Sequence, residues 1–91
     1  MTNSEVLALL KEAFTFAAPE EASAAENLSL EGTLDQAGVS SIVAFEMAGY
    51  IEDKLGIQFA DDELAQISTV KGFISLIRQY TNTKVLAMPD R

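Results

Sequence analysis

One serine in this chain stands where an alcohol could do chemistry. Ser41 lies in the segment Leu34–Ile42, directly after Gly38-Val-Ser, where a glycine-containing loop passes into an apolar helix. The first turn of a helix has unpaired backbone N–H groups, and the helix dipole is positive there. A hydroxyl in this position is well placed to hold a phosphate group. We therefore predict that the chemistry of this chain is centred on Ser41.

Two other interpretations of this segment stay open. Ser41 can serve only as the helix N-cap, without modification, because serine is a preferred residue at that position. Ser40 is the next candidate for modification, although the register with Gly38 and Ile42 favours Ser41.

The elements that must position this serine are helices, since no stretch shows useful strand alternation. Helix one is predicted over residues 3–16, with the capping-box spacing of Thr2 and Glu5 at its start. Residues 18–39 form a long connection, predicted to be an ordered surface loop with a short helical turn. Three of its leucines are spaced to reach a core, namely Leu28, Leu30 and Leu34.

Three further helices are predicted after the connection. Helix two covers Ser41 to Leu55 and ends at Gly56, a residue suited to a left-handed stop. A short third helix begins at Asp61, and a fourth runs from Thr69 to about Tyr80 with Ser68 as its cap. We predict one domain over residues 1–80 and a tail over 81–91, whose apolar residues either dock on the domain or fray: Val85, Leu86 and Met88.

The acids that open the third helix have two interpretations. Asp61, Asp62 and Glu63 are suited to a helix N-terminus, where negative charge is stabilising. They also resemble a loose divalent-cation site, but the loop pattern of a calcium hand is missing. We therefore favour the role at the helix N-terminus and predict no metal site.

Helix two separates into two faces at 100° per residue. The core face is predicted to hold Ala44, Met47, Ala48, Ile51 and Leu55. The outer face carries Ile42, Glu46, Gly49 and Asp53, and it is flanked by Val43, Phe45 and Tyr50. A glycine inside a helix costs about 0.5–1 kcal/mol relative to alanine. Gly49 therefore either allows another molecule to approach closely or reflects neutral drift.

Composition limits the function further. The 91 residues carry a net charge of −8, which disfavours nucleic acid and anionic membranes as partners and favours basic protein surfaces. The chain has no cysteine, which fits a cytoplasmic protein, and no histidine, which removes the usual general base. We predict that it is not an enzyme and has no catalytic residues. Its start at Met1 predicts a free-standing gene product.

The residues around Ser41 resemble the acyl carrier proteins and related carrier domains. The segment Gly38-Val-Ser-Ser41-Ile42 looks like the family pattern of glycine, any residue, aspartate, serine, then leucine or isoleucine. Further along, Leu55-Gly56-Ile57, the acids from Asp61 and the stretch Ile67–Val70 are similar to the family's passage from helix two to helix four. The resemblance covers most of the chain.

This resemblance implies an all-α fold, a four-helix bundle with a long loop between helices one and two and a short third helix. It implies that Ser41, next to Gly38 and Ser40, receives 4′-phosphopantetheine from coenzyme A through a Mg²⁺-dependent phosphopantetheinyl transferase. It further implies that the protein carries acyl groups as thioesters to enzymes such as a ketosynthase or an acyltransferase. We expect the protein to be a monomer. The absence of cysteine fits, because the reactive thiol belongs to the cofactor.

The family also implies a docking surface for basic partners on helix two. Glu46, Glu52 and Asp53 match the acidic docking positions, and we expect partners to contact an outer surface made of Ile42, Val43, Glu46, Gly49, Tyr50 and Asp53.

Two positions depart from the family pattern. Ser40 replaces the usual aspartate, which keeps an N-cap but removes a charge beside the incoming phosphate. Val43 replaces an acid common near the start of helix two. We expect the protein to act in fatty acid, polyketide or related biosynthesis. We take the change at Val43, which makes helix two more apolar outside, as a sign of a dedicated partner in a specialised pathway such as polyketide synthesis. An aminoacyl or peptidyl carrier, and an unmodified helical interaction module, are the alternatives.

Overall fold

The computed structural model describes the backbone of residues 2–87 and the side chains of residues 2–81. All regular elements in this part of the chain are helices: α1 (Asn3–Ala17), a 3₁₀ helix (Pro19–Asn27), α2 (Ser41–Leu55), α3 (Asp61–Ala65) and α4 (Val70–Ala87). The predicted all-α bundle with a short third helix is confirmed. None of these helices combines the length and the apolar character needed to cross a bilayer.

Helix α1 begins and ends where local chemistry dictates. The Thr2 hydroxyl accepts from the Glu5 N–H at 3.1 Å, and the Glu5 carboxylate accepts from the Thr2 N–H at 2.7 Å, so the predicted capping box is confirmed. Ala18 leaves the helical conformation, and Pro19 starts the 3₁₀ helix. This 3₁₀ region spans nine residues with a kink at Glu21, and it is therefore longer than the short turn that we predicted.

The core lies between α1, α2 and α4 and is closed by the connection before α2. Leu28 and Leu34 of that connection are buried, and Leu30 is half-buried against the core. No polar side chain is buried in the described part of the chain. The largest fully buried side chains are Phe14, Phe73, Leu10, Leu28, Met47, Ile51, Ile74 and Ile77. The site-bearing helix α2 is thus held by apolar packing along one side.

Two expectations for α4 are wrong. The helix begins at Val70, and the Thr69 hydroxyl, not Ser68, accepts from the Gly72 N–H at 2.9 Å. The Ser68 carbonyl instead accepts from the Leu34 N–H, so this residue belongs to the loop contact. The helix also continues past Tyr80 to Ala87. The division into 1–80 and 81–91 stays a prediction, and the docking expected of Val85, Leu86 and Met88 lies outside the described side chains.

The third helix is placed by a tyrosine of α4. The Tyr80 hydroxyl accepts from the Ala60 N–H at 3.1 Å and donates to the Glu63 carboxylate. Its ring also meets Phe59 edge-on, with 5.0 Å between the ring centroids. The described residues contain no group of acids arranged to hold a metal ion. At the start of α3, Asp62 Oδ1 accepts from the Glu63 N–H.

Candidate functional site

The loop before α2 is a helical turn ended by a glycine. The Val39 N–H donates to the Leu34 carbonyl at 2.8 Å, and the Gly38 N–H donates to the Asp35 carbonyl at 3.1 Å. This pair of hydrogen bonds defines a Schellman motif, which needs a left-handed residue, and Gly38 has φ 83°. The reversal buries Val39 and directs the chain into α2. Gly38 therefore sets the position of the two serines that follow.

The same loop is anchored to the start of α4. The Leu34 N–H donates to the Ser68 carbonyl at 3.0 Å, and the Val70 N–H donates to the Gly32 carbonyl at 3.1 Å. These hydrogen bonds flank an isolated antiparallel bridge between Thr33 and Thr69. The loop that presents the serines is therefore fixed at both ends.

Ser40 is the N-cap of α2. Its hydroxyl oxygen accepts from the Val43 N–H at 3.2 Å, and its backbone is extended, with φ −75° and ψ 170°. The expectation that serine can replace aspartate as the cap is thus confirmed. The alternative that Ser41 is itself the cap is wrong, because the capping hydrogen bond belongs to Ser40.

Ser41 is the first residue of α2, and its side chain is exposed. Its hydroxyl makes no hydrogen bond to any described residue, in contrast with that of Ser40. The first turn of α2 contains no acidic side chain, so nothing in that turn repels an anion. A modifying enzyme can therefore reach the Ser41 oxygen without breaking the helix cap.

A groove of about 240 Å³ lies beside Ser41. It runs between the loop, α2 and α3, with Ala44, Leu64 and Ile67 among its lining residues. Asp35 belongs to the same lining, which sequence reasoning missed, because nothing beyond its place in the turn indicated it. Ile42 and Phe45 are 73% and 42% exposed on the same end of α2. The exposed alcohol thus lies next to accessible apolar surface.

Only part of the predicted outer surface of α2 is solvent-exposed. Glu46 and Asp53 are exposed and form no ion pair or hydrogen bond with the described residues, and Ile42 is also exposed. Gly49 lies between the two acids, and a Cβ there would meet no atom within 4 Å. Val43 is instead half-buried and packs against the core.

Glu52 has a structural contact besides its place near the outer surface. It is half-buried, and its Oε2 accepts from the Phe59 N–H at 2.8 Å. This hydrogen bond ties the end of α2 to the segment that leads into α3. We therefore assign Glu52 a structural role. Docking stays a prediction for the exposed acids Glu46 and Asp53.

Tyr50 joins α2 to α1. Its hydroxyl donates to the Glu12 carboxylate, which also accepts from Lys54 Nζ at 2.6 Å. The Tyr50 ring lies 4.8 Å from the Phe16 ring, between centroids. Phe16 is 64% exposed, whereas Phe14 on the same helix is buried. The reason is geometric, because two residues along a helix turn the side chain by about 200° away from buried Phe14.

The ion pair predicts a pH dependence of stability. The hydrogen bonds from Lys54 and Tyr50 lower the pKa of Glu12 below its ordinary value of 4.5. The stability that ionised Glu12 contributes is then fully present above pH 4.5, and it is lost as the pH falls through the lowered pKa. In thermal melts, the Tm of wild type should exceed that of Glu12→Gln at neutral pH, and this difference should shrink as the pH falls below 4.5 and through the lowered pKa of Glu12. Glu26→Gln, which removes an exposed acid of the 3₁₀ helix, is the control. A difference that stays constant with pH would contradict the assignment.

Alanine substitutions at two glycines near the site are expected to change stability in opposite directions. Gly38→Ala should lower the free energy of unfolding by about 1–2 kcal/mol, because a Cβ is disfavoured at positive φ although space is open there. Gly49→Ala should raise it by about 0.5–1 kcal/mol, because the helix interior prefers alanine and nothing lies within 4 Å. Urea denaturation measures both, and a loss in Gly49→Ala would show that the helix surface is crowded.

A four-helix bundle that exposes a free serine hydroxyl at the start of its second long helix is the arrangement of a carrier domain. The family model for the phosphopantetheine attachment site matches residues 5–77, and the chain belongs to that family. The predicted family and the predicted cofactor, covalent 4′-phosphopantetheine, are thereby confirmed. Carrier proteins of this kind work with a phosphopantetheinyl transferase and with acyl-processing enzymes.

The fold is also found among solved structures. The crystal structure of an acyl carrier protein from Thermotoga maritima matches with a TM-score of 0.73 at 23% sequence identity. The match covers 91% of this chain and 94% of that protein. A search of curated proteins gave no significant match.

Proposed function

We propose that this protein is an acyl carrier protein whose prosthetic arm is attached to Ser41. The observation that carries the proposal is the division of labour between two adjacent serines. The Ser40 oxygen is used by the helix cap, whereas the Ser41 hydroxyl is exposed and has no partner among the described residues. Attachment at Ser41 therefore leaves the start of α2 intact.

The residues around Ser41 fit a phosphate-linked group. The Ser41 oxygen would form the new bond to phosphorus as the bond to the nucleotide half of coenzyme A breaks; the nucleotide leaves as adenosine 3′,5′-bisphosphate, and the hydroxyl proton passes to the transferase or to solvent. The helix dipole would favour the charge of a phosphate held there, and no acid of the first turn opposes it. When bound, the cofactor supplies the thiol that holds an acyl group, so the chain needs no cysteine of its own.

The charge pattern supports enzyme partners with basic surfaces. A net charge of −8 and the exposed acids Glu46 and Asp53 attract such surfaces, and exposed Ile42 adds apolar contact beside the arm. We propose acyl-loading and condensing enzymes as partners, in polyketide or related biosynthesis, with the protein acting as a cytoplasmic monomer. Support for this pathway comes from Val43, which makes the outer face of α2 more apolar than in carriers of primary fatty acid synthesis.

Labelling with coenzyme A tests the proposal. The protein is incubated with coenzyme A, Mg²⁺ and a broad-specificity phosphopantetheinyl transferase, and its intact mass is measured. A gain of one phosphopantetheine group is expected. No gain with several transferases would favour the unmodified interaction module. Loading of the modified protein by an amino-acid-activating enzyme, but not by acyl-loading enzymes, would favour the aminoacyl carrier.

Charge reversal tests the docking surface with the same transferase as partner. Glu46→Lys and Asp53→Lys should each lower kcat/KM for phosphopantetheine transfer by at least about threefold at low salt, because they oppose a basic partner. Their unfolding midpoints should stay close to wild type, because exposed charges add little stability. Glu26→Lys, with the same charge change on the 3₁₀ helix, is the matched control. If kcat/KM of both variants equals that of this control, α2 is not part of the docking surface.

A further inference from the structure

Ser40 uses only part of its hydrogen-bonding capacity to cap α2. Its Oγ accepts from the Val43 N–H at 3.2 Å, and its carbonyl accepts from the Ala44 N–H at 2.8 Å. A hydroxyl is also a donor, since it carries one hydrogen besides its lone pairs. The Ser40 side chain is exposed and donates to none of the described residues. The cap therefore leaves one hydrogen free for a second hydrogen bond.

Two backbone donors follow this hydroxyl in the chain. The N–H groups of Ser41 and Ile42 belong to the first turn of α2, where a helix has no acceptors of its own to offer. Neither group donates to a described residue. The start of α2 thus combines one free hydroxyl hydrogen with two free N–H groups around the Ser41 oxygen.

Serine and aspartate differ as neighbours of a phosphate, although both cap a helix well. An ionised carboxylate only accepts hydrogen bonds, and its charge repels an anion next to it. A serine is neutral and can donate. At position 40 the chain has serine where the family pattern has aspartate. This exchange turns a residue that repels a phosphate into one that can hold it.

We propose that Ser40 is a ligand of the phosphate of the prosthetic arm. Its oxygen accepts from the Val43 N–H while its hydrogen is donated to a phosphate oxygen on Ser41. The inference rests on the proposed function, because it needs the arm on Ser41. It goes beyond that function because Ser40 then acts after attachment: it restrains the root of the arm and stabilises the modified protein more than the unmodified one.

The stability of unmodified and modified protein tests this role without an activity assay. Ser40→Gly removes the donor at little cost to the cap, so the unmodified variant should melt within about 3 °C of wild type. Both proteins are then modified with coenzyme A and excess transferase, and intact mass confirms one phosphopantetheine per chain. The difference in Tm should now be larger by about 2–6 °C, because only wild type can donate to the phosphate.

Ser40→Asp should reverse its rank on modification. Before modification its Tm should equal or exceed that of wild type, because a carboxylate caps α2 and suits the helix dipole. After modification it should melt about 2–6 °C below wild type at low salt, because it has no hydrogen to donate and repels the phosphate. Ser23→Asp, the same change at an exposed serine of the 3₁₀ helix, is the matched control and should shift both forms equally.

A spectroscopic measurement separates this role from capping alone. The ³¹P resonance of the modified protein should move in Ser40→Gly and stay close to wild type in Ser40→Thr, which keeps both the oxygen and its hydrogen. A cap without contact to the phosphate would leave this resonance in place in both variants, and that result would overturn the inference.

The inference and the proposed function fail in different ways. A Tm difference between wild type and Ser40→Gly that is the same before and after modification would overturn the inference and leave the carrier function standing. Ser40→Asp that keeps its rank after modification would do the same. If none of the proteins gains a phosphopantetheine group, both are overturned, because Ser40 then has no phosphate to hold.

Discussion

Replacing Ser41 by alanine is expected to abolish the gain of phosphopantetheine completely. The reason is chemical, since the new phosphorus–oxygen bond needs the Ser41 hydroxyl. The fold should survive, because the side chain is exposed and the helix cap belongs to Ser40. Intact mass after incubation with coenzyme A and a transferase measures the first effect, and circular dichroism during thermal melting measures the second.

Ser40→Ala is the matched control for this experiment. It removes the oxygen that accepts from the Val43 N–H, and it should lower the free energy of unfolding by about 1 kcal/mol. It should nevertheless keep one phosphopantetheine per chain, because Ser41 is still present. A variant pair with the opposite behaviour, in which Ser41→Ala is modified and Ser40→Ala is not, would move the attachment to Ser40.

The largest effect on stability is expected from Phe14→Ala. The ring is 1% exposed in the core, and removing it leaves a cavity beneath the helices that carry the site. The expected loss is about 3–5 kcal/mol, which approaches the whole stability of a domain of this size. Urea denaturation of the purified variant measures the loss directly.

Phe16→Ala is the control for this loss, two residues along the same helix. Phe16 is 64% exposed, so its removal should cost about 0.5 kcal/mol or less. A loss in Phe16→Ala comparable with that in Phe14→Ala would contradict the placement of α1.

Local patterns predicted the elements that position the site. The period of 3.6 residues gave the core face of α2, where Met47, Ala48 and Ile51 are buried and Ala44 and Leu55 are half-buried. The capping pair Thr2 and Glu5 and the left-handed Gly56 also behave as predicted. These features depend on residues within one or two turns of each other, which is why the sequence alone reveals them.

The predictions failed where two neighbouring residues can both cap a helix, or where no residue clearly ends a helix. Ser68 and Thr69 are both good caps, and the loop contact of Ser68 with Leu34 decides for Thr69. No glycine or proline follows Tyr80 until Pro89, so the helix continues beyond the point where the apolar pattern weakens. Tertiary context decided the first outcome, and the lack of a local helix stop decided the second.

Contacts between distant residues could not be predicted at all. The hydrogen bond from Tyr50 to Glu12 joins positions 38 residues apart, and the bridge from Thr33 to Thr69 links the site loop to α4. The exposed ring of Phe16 lies against the ring of Tyr50 on another helix. Such contacts are properties of the packed helices, although each residue is ordinary in the sequence.

The most direct test of the central claim is to locate the modification within the chain. Protein labelled with coenzyme A is digested with trypsin, and the peptide that ends at Lys54 is fragmented in a mass spectrometer. We expect the added mass on every fragment that contains Ser41 and on none that contains Ser40 without Ser41. An added mass on Ser40, or a peptide that remains unmodified under conditions that label a known carrier protein, would contradict the assignment.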